Sequence, residues 1–140
     1  MKQKNLSPLL LPIIALILEL LPYGVALHSA HPLQDGTLYH SRLTYSYFSL
    51  IPYGYANVGP FFTAILTCVV LLLLVIFCIT RKTVFLKISL CLTGAAAITS
   101  VLPLGLDLRF YSVLGAAITV VLLAAFLYML WIVIKKRYRS

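Results

Sequence analysis

Residues Val69–Lys82 read Val-Val-Leu-Leu-Leu-Leu-Val-Ile-Phe-Cys-Ile-Thr-Arg-Lys, an almost unbroken aliphatic run that stops on two adjacent cations. A helix of about 20 such residues spans the ~30 Å hydrocarbon layer of a bilayer. The run belongs to an apolar block from about Pro60 to Thr80, and three similar blocks cover about Leu6–Leu27, Val84–Leu106 and Phe110–Ile134. The expected fold is therefore an all-α integral membrane protein. It is a left-handed bundle of four transmembrane helices in a single membrane domain, with an extracytoplasmic loop over about His28–Asn57.

Composition agrees. Of 140 residues, 62% are hydrophobic and only 10% charged, and mean hydropathy is +1.05. Soluble domains carry roughly a quarter charged residues, so this chain could not cover a water-facing globule. A secretory leader is the competing reading of the first block, with Lys2 and Lys4 ahead of it and Gly24-Val25-Ala26 as a cleavage site. The block is longer than a usual leader core, and Glu19 interrupts it, which favours a retained span.

The net charge of +8 is explained by placement. Lys2, Lys4, Arg81, Lys82, Lys87, Lys135, Lys136, Arg137 and Arg139 fall on one side of the alternating blocks, and Arg42 and Arg109 on the other. Basic residues stay cytoplasmic, which predicts both termini inside a bacterial cytoplasmic membrane. The cations flank apolar blocks and form no basic stripe with interleaved aromatics, so the expected partner is the lipid bilayer and not nucleic acid. Six of the nine tyrosines lie between Tyr23 and Tyr55, while Tyr128, Trp131 and Tyr138 bracket the end of the last block. Both sets suit membrane interfaces.

The polar stretch contains a turn signal at Asp35-Gly36, and from Leu38 to Phe48 it partly alternates. Tyr39, Leu43, Tyr45 and Tyr47 share one parity; His40, Arg42, Thr44 and Ser46 share the other. This period of two predicts an extended segment, either a short β-hairpin on the membrane surface or an irregular loop. An aliphatic-Pro-x-Gly pattern occurs at Leu21–Gly24, Ile51–Gly54 and Leu102–Gly105. It reads as three helix boundaries at one membrane face or as a duplicated outer structure.

Glu19 is the one acidic residue inside an apolar block. An ionisable group at membrane depth costs several kcal/mol unless it is paired, protonated or hydrated. At ~1.5 Å per residue it lies roughly 20 Å from the start of its helix. The candidate partners are Arg42, Arg109, the histidines and tyrosine hydroxyls. Glu19 is expected to be a bonded structural carboxyl, a proton- or cation-coupling site, or a shallow carboxyl facing interfacial water.

His28, His31 and His40 with Asp35 have ligand chemistry suited to zinc. Their spacing matches no metal motif, so solvated loop histidines and no cofactor are expected. Cys68, Cys78 and Cys91 all sit inside apolar blocks, an odd count without a CxxC pair, and read as apolar filler. Ser89, Thr93 and Ala97 are spaced by four, as are Ala96 and Ser100, and Gly115 and Thr119. Small residues so spaced let transmembrane helices approach closely, which predicts contact between the third and fourth helices or a self-association seam. No nucleophile–base pair or phosphate loop is present, so the expectation is a non-enzymatic accessory or interaction protein. The alternative is a small oligomeric proton-coupled transporter or channel using Glu19.

Four blocks with one glutamate in the first resemble the small multidrug resistance transporters, in which that glutamate binds protons and cationic drugs. Only Glu19 carries over, and the long outer loop and strong basic bias depart from that family. The stretches Glu19-Leu20-Leu21-Pro22-Tyr23-Gly24 and Tyr45-Ser46-Tyr47-Phe48 through Ala64-Ile65-Leu66-Thr67-Cys68 resemble small bacterial four-span membrane proteins to which no activity is attached. Claudin-type proteins also have a long first outer loop, but its paired cysteines and tryptophan motif are missing here.

Overall fold

The computed structural model describes residues 6–32, 37–49, 55–106 and 112–138. Helix α1 covers Ser7–Leu20, strands β1 and β2 cover Val25–Pro32 and Leu38–Tyr45, and helices α2, α3 and α4 cover Tyr55–Thr80, Thr83–Leu106 and Val113–Arg137. Three stretches, Val58–Thr80, Thr83–Pro103 and Val113–Lys136, are long and apolar enough to cross a membrane.

The first helix is shorter than its apolar block. It has 14 residues, about 21 Å at ~1.5 Å per residue, which falls short of the hydrocarbon layer. Leu21 already has extended backbone, with φ −67° and ψ 140°. Pro22 disfavours helical geometry in the residue before it, and the chain then enters β1. Residues Val25-Ala26-Leu27, read from sequence as the end of the first span, begin a strand instead.

The two strands pair antiparallel, from Val25 opposite Tyr45 to Pro32 opposite Leu38. The base of this hairpin is inside the protein, because Val25 and Ala26 are buried. After β2, Ser49 N–H donates to Ser46 O at 3.1 Å. This tight turn drives Tyr47 into the bundle, where it is 1% exposed.

Every helix buries one stripe at helical spacing. These include Pro8, Pro12, Ala15 and Glu19 on α1; Thr63, Thr67, Val70 and Leu74 on α2; Ser89, Thr93, Ala96 and Ser100 on α3; and Ile118, Leu122, Ala125 and Met129 on α4. The outward faces carry Leu10, Leu72, Ile98, Val120 and Leu127, all more than half exposed. Hydroxyls and a carboxyl inside, with branched aliphatics outside, is the arrangement lipid solvent selects. A water-soluble monomer seldom exposes apolar patches beyond a few hundred Å².

The apolar core has two parts. One, containing Ala15, Val25, Tyr47, Ala64, Ala96 and Ile118, surrounds the base of the hairpin. The other, containing Leu9, Val70, Leu74, Phe77, Leu86 and Met129, lies toward the opposite end. Ser7, Arg81 and Lys135 line a single cleft there. The start of α1, the α2–α3 turn and the end of α4 therefore share one end of the bundle, and the hairpin occupies the other.

The third aliphatic-Pro-x-Gly segment is not a helix boundary at its proline. α3 runs through Pro103 to Leu106. Pro103 lacks the N–H that would bond the Thr99 carbonyl, and Gly59 approaches that same carbonyl. A Cβ built on Gly59 would stand 2.7 Å from Thr99 O. The first segment does end α1, and the second lies outside the described residues.

Candidate functional site

The buried stripe of α1 carries Glu19 inward, and the side chain is fully buried. Thr67 Oγ1 donates to Glu19 Oε1 at 2.8 Å. The same hydroxyl lies 3.0 Å from the Thr63 carbonyl one turn earlier, so one proton serves two acceptors. Glu19 Oε2 is buried without a hydrogen-bond partner among the described residues. The Glu19 backbone carbonyl accepts from Tyr47 N–H at 3.1 Å, which fastens the hairpin turn to the end of α1.

Around this carboxyl runs a set of hydroxyls stitching the elements together. Thr63 Oγ1 lies 2.8 Å from Thr99 Oγ1, joining α2 to α3. Ser100 Oγ lies 2.7 Å from Thr119 Oγ1, joining α3 to α4, and 3.3 Å from the Tyr47 hydroxyl. Ser112 caps α4, accepting from Gly115 N–H at 2.8 Å and donating to Gly24 O at 2.6 Å. In a lipid-facing bundle such bonds serve in place of hydrophobic association between helices.

Thr67 is the partner that sequence reasoning did not name. Arg42 is exposed on β2 and is not bonded to Glu19, and Arg109 and Asp35 lie outside the described residues. His28 pairs with Arg42 in backbone register, Ala30 with His40, and His31 with Tyr39. Among the described residues no three His, Cys, Asp or Glu side chains form a group able to hold a metal ion.

The small-residue positions Ser89, Thr93, Ala97, Gly115 and Thr119 are all buried within this one chain. Ser89 and Thr93 back-bond to the Phe85 and Ser89 carbonyls of their own helix, whereas Gly115 faces the Gly24 carbonyl and Tyr47. The cysteines are free, and Cys68 and Cys91 face outward instead of filling the core.

Two clefts accompany this seam. An open groove of about 510 Å³ on the outward side of α3 is lined by Ala97, Ile98, Val101, Leu102 and Gly105. A cleft of about 450 Å³ at the end opposite the hairpin is lined by residues of α1, α2 and α4 together with Arg81. No protein family, curated protein or solved structure matches the chain.

Proposed function

We propose that this chain is a four-span protein of the bacterial cytoplasmic membrane, with both termini cytoplasmic, acting as a non-enzymatic accessory or interaction partner of another membrane protein. The observation that carries this reading is the groove on α3. Among the described residues, nothing lies within 4 Å of the position a Cβ on Gly105 would take. With the exposed Val101 it edges a groove that runs down to Ala97, itself buried against the bundle. An open groove with small residues at Ala97 and Gly105 leaves room for close approach of a second helix.

The test places a photo-cross-linking amino acid at Ile98, 71% exposed beside the groove, or at Val120, 65% exposed on α4. Protein adducts in native membranes from Ile98 and not from Val120 are expected. Equal or absent adducts from both would remove the reading. Orientation is tested separately by a reporter fused after Ser140 that is active only in the cytoplasm.

A second reading, a small oligomeric proton-coupled transporter or channel, is favoured by one observation, that Glu19 Oε2 has no hydrogen-bond partner among the described residues. A buried carboxyl with an oxygen to spare is a group that can accept and release a proton. Glu19→Gln keeps an oxygen for Thr67 and removes that capacity. This reading expects proton-coupled flux in liposomes from the native chain and none from the variant. Unchanged flux would remove Glu19 from any such role.

A further inference from the structure

The cleft opposite the hairpin has a chemistry unlike the rest of the bundle. Arg81, Lys135 and Lys136 reach it, Ser7 contributes a hydroxyl from the first turn of α1, and none of the described residues that line it is acidic. Its volume of about 450 Å³ falls within the roughly 300–1,000 Å³ of small-molecule sites.

The cations are held in place by apolar surfaces. Lys135 Nζ sits 4.6 Å from the centroid of Trp131, and Lys136 Nζ sits 4.5 Å from that of Phe77. A cation–π contact orients an ammonium while leaving its N–H groups to donate to an anion. The Trp131 ring is itself stacked on Tyr128, with centroids 6.1 Å apart.

Arg81 adds an independent observation. It is the residue just past α2, and its N–H donates to Phe77 O at 2.8 Å, the closing bond of a left-handed helix cap. Its φ is +59°, a conformation for which glycine is the usual residue. Backbone strain of this kind collects at ligand clamps and switch regions, and a guanidinium matches phosphate oxygens in a bidentate fork. The α1 N-terminus, which also borders the cleft, has no side-chain cap among the described residues and presents the positive end of its dipole.

We infer that this cleft binds the phosphate of an anionic phospholipid headgroup. Phosphate is the shared chemistry of a lipid and a soluble anion. The aromatic walls and the place at the ends of membrane-length helices select the lipid, since basic pockets between transmembrane helices at this level hold lipid headgroups. The site does not depend on any partner helix at α3.

Trp131 is the sole tryptophan of the chain, so its fluorescence reports on the cleft directly. The full chain in a neutral detergent is titrated with dioctanoyl phosphatidylglycerol, dioctanoyl phosphatidylcholine and sodium phosphate at fixed ionic strength. A saturable Trp131 change with phosphatidylglycerol alone is expected. Removing charges should weaken it roughly fivefold for each one lost, both in Arg81→Gly, which relieves backbone strain, and in the double change Lys135→Gln with Lys136→Gln. Lys87→Gln removes an exposed charge on α3 that does not line the cleft, and should leave affinity within about twofold. Equal response to phosphatidylcholine, saturation by inorganic phosphate alone, no response, or equal weakening by Lys87→Gln would each overturn the assignment. Circular dichroism of each variant separates loss of binding from loss of fold.

Discussion

Glu19 and Thr67, 48 residues apart, share a 2.8 Å hydrogen bond inside the bundle, and Thr67 is the one donor to this carboxyl among the described residues. The bond joins the end of α1 to the middle of α2, next to the point where the Glu19 carbonyl holds the hairpin turn. Thr67→Val keeps the side-chain shape and strips the donor, leaving neither carboxyl oxygen with a partner among the described residues. Interhelical hydrogen bonds in membrane proteins contribute about 0.6–2 kcal/mol, and that loss is expected in unfolding titrations from mixed micelles. Glu19→Leu combined with Thr67→Val should cost less than the two single changes together, because the double variant buries no orphaned polar atom.

Glycine substitutions separate close helix contact from open surface. Gly59→Ala puts a methyl 2.7 Å from the Thr99 carbonyl and 3.0 Å from Leu102 Cβ. A helix backbone cannot yield as a side-chain tip does, so α2 and α3 must separate, at about 1–3 kcal/mol. Gly105→Ala meets nothing within 4 Å among the described residues and gains helix propensity, so stability should stay level or rise by up to about 1 kcal/mol. Thermal denaturation of both variants in one detergent checks the contrast.

The long helices are legible in the sequence because lipid demands a continuous apolar run, and Arg81 and Lys82 mark where α2 stops. The hairpin was half legible. β2 alternates, but Val25-Ala26-Leu27 is apolar on both parities and extends the preceding block as readily as it starts a strand. What decides it is pairing with Leu43–Tyr45, a contact that no local pattern reports. Glu19 stands out as a lone charge, whereas Thr67 does not, because threonines are common in such helices and usually back-bond to their own backbone. Tyr47 shares a parity with Tyr45 and by pattern alone belongs to one face of the extended stretch. Its actual place depends on two distant glycines, Gly24 and Gly115, that leave room for the ring.

That placement makes Tyr47 a plug between hairpin and bundle. Tyr47→Phe removes the hydroxyl that lies 3.3 Å from Ser100 Oγ, while Ser100 keeps Thr119 at 2.7 Å. The cost should be about 0.5–1.5 kcal/mol. Tyr47→Ala empties a fully enclosed space and should cost about 3–5 kcal/mol. It should also loosen the hairpin before the helices, read as faster amide exchange in Val25–Tyr45 with α2–α4 still protected.

Arg81 provides a case in which stability and binding should move in opposite directions. Its φ of +59° costs a residue bearing a Cβ about 1–2 kcal/mol, and glycine avoids that at the expense of greater freedom in the unfolded chain. Arg81→Gly keeps the N–H that bonds Phe77 O, so the cap survives. The variant should unfold about 0.5–1 kcal/mol later than the native chain while losing affinity for phosphatidylglycerol. Arg81→Ala isolates the two effects, since it discards the guanidinium and keeps the strain. It should match Arg81→Gly in lipid affinity and fall below it in stability. If Arg81→Gly is instead the less stable of the two, the left-handed cap at the α2–α3 turn is not a source of strain.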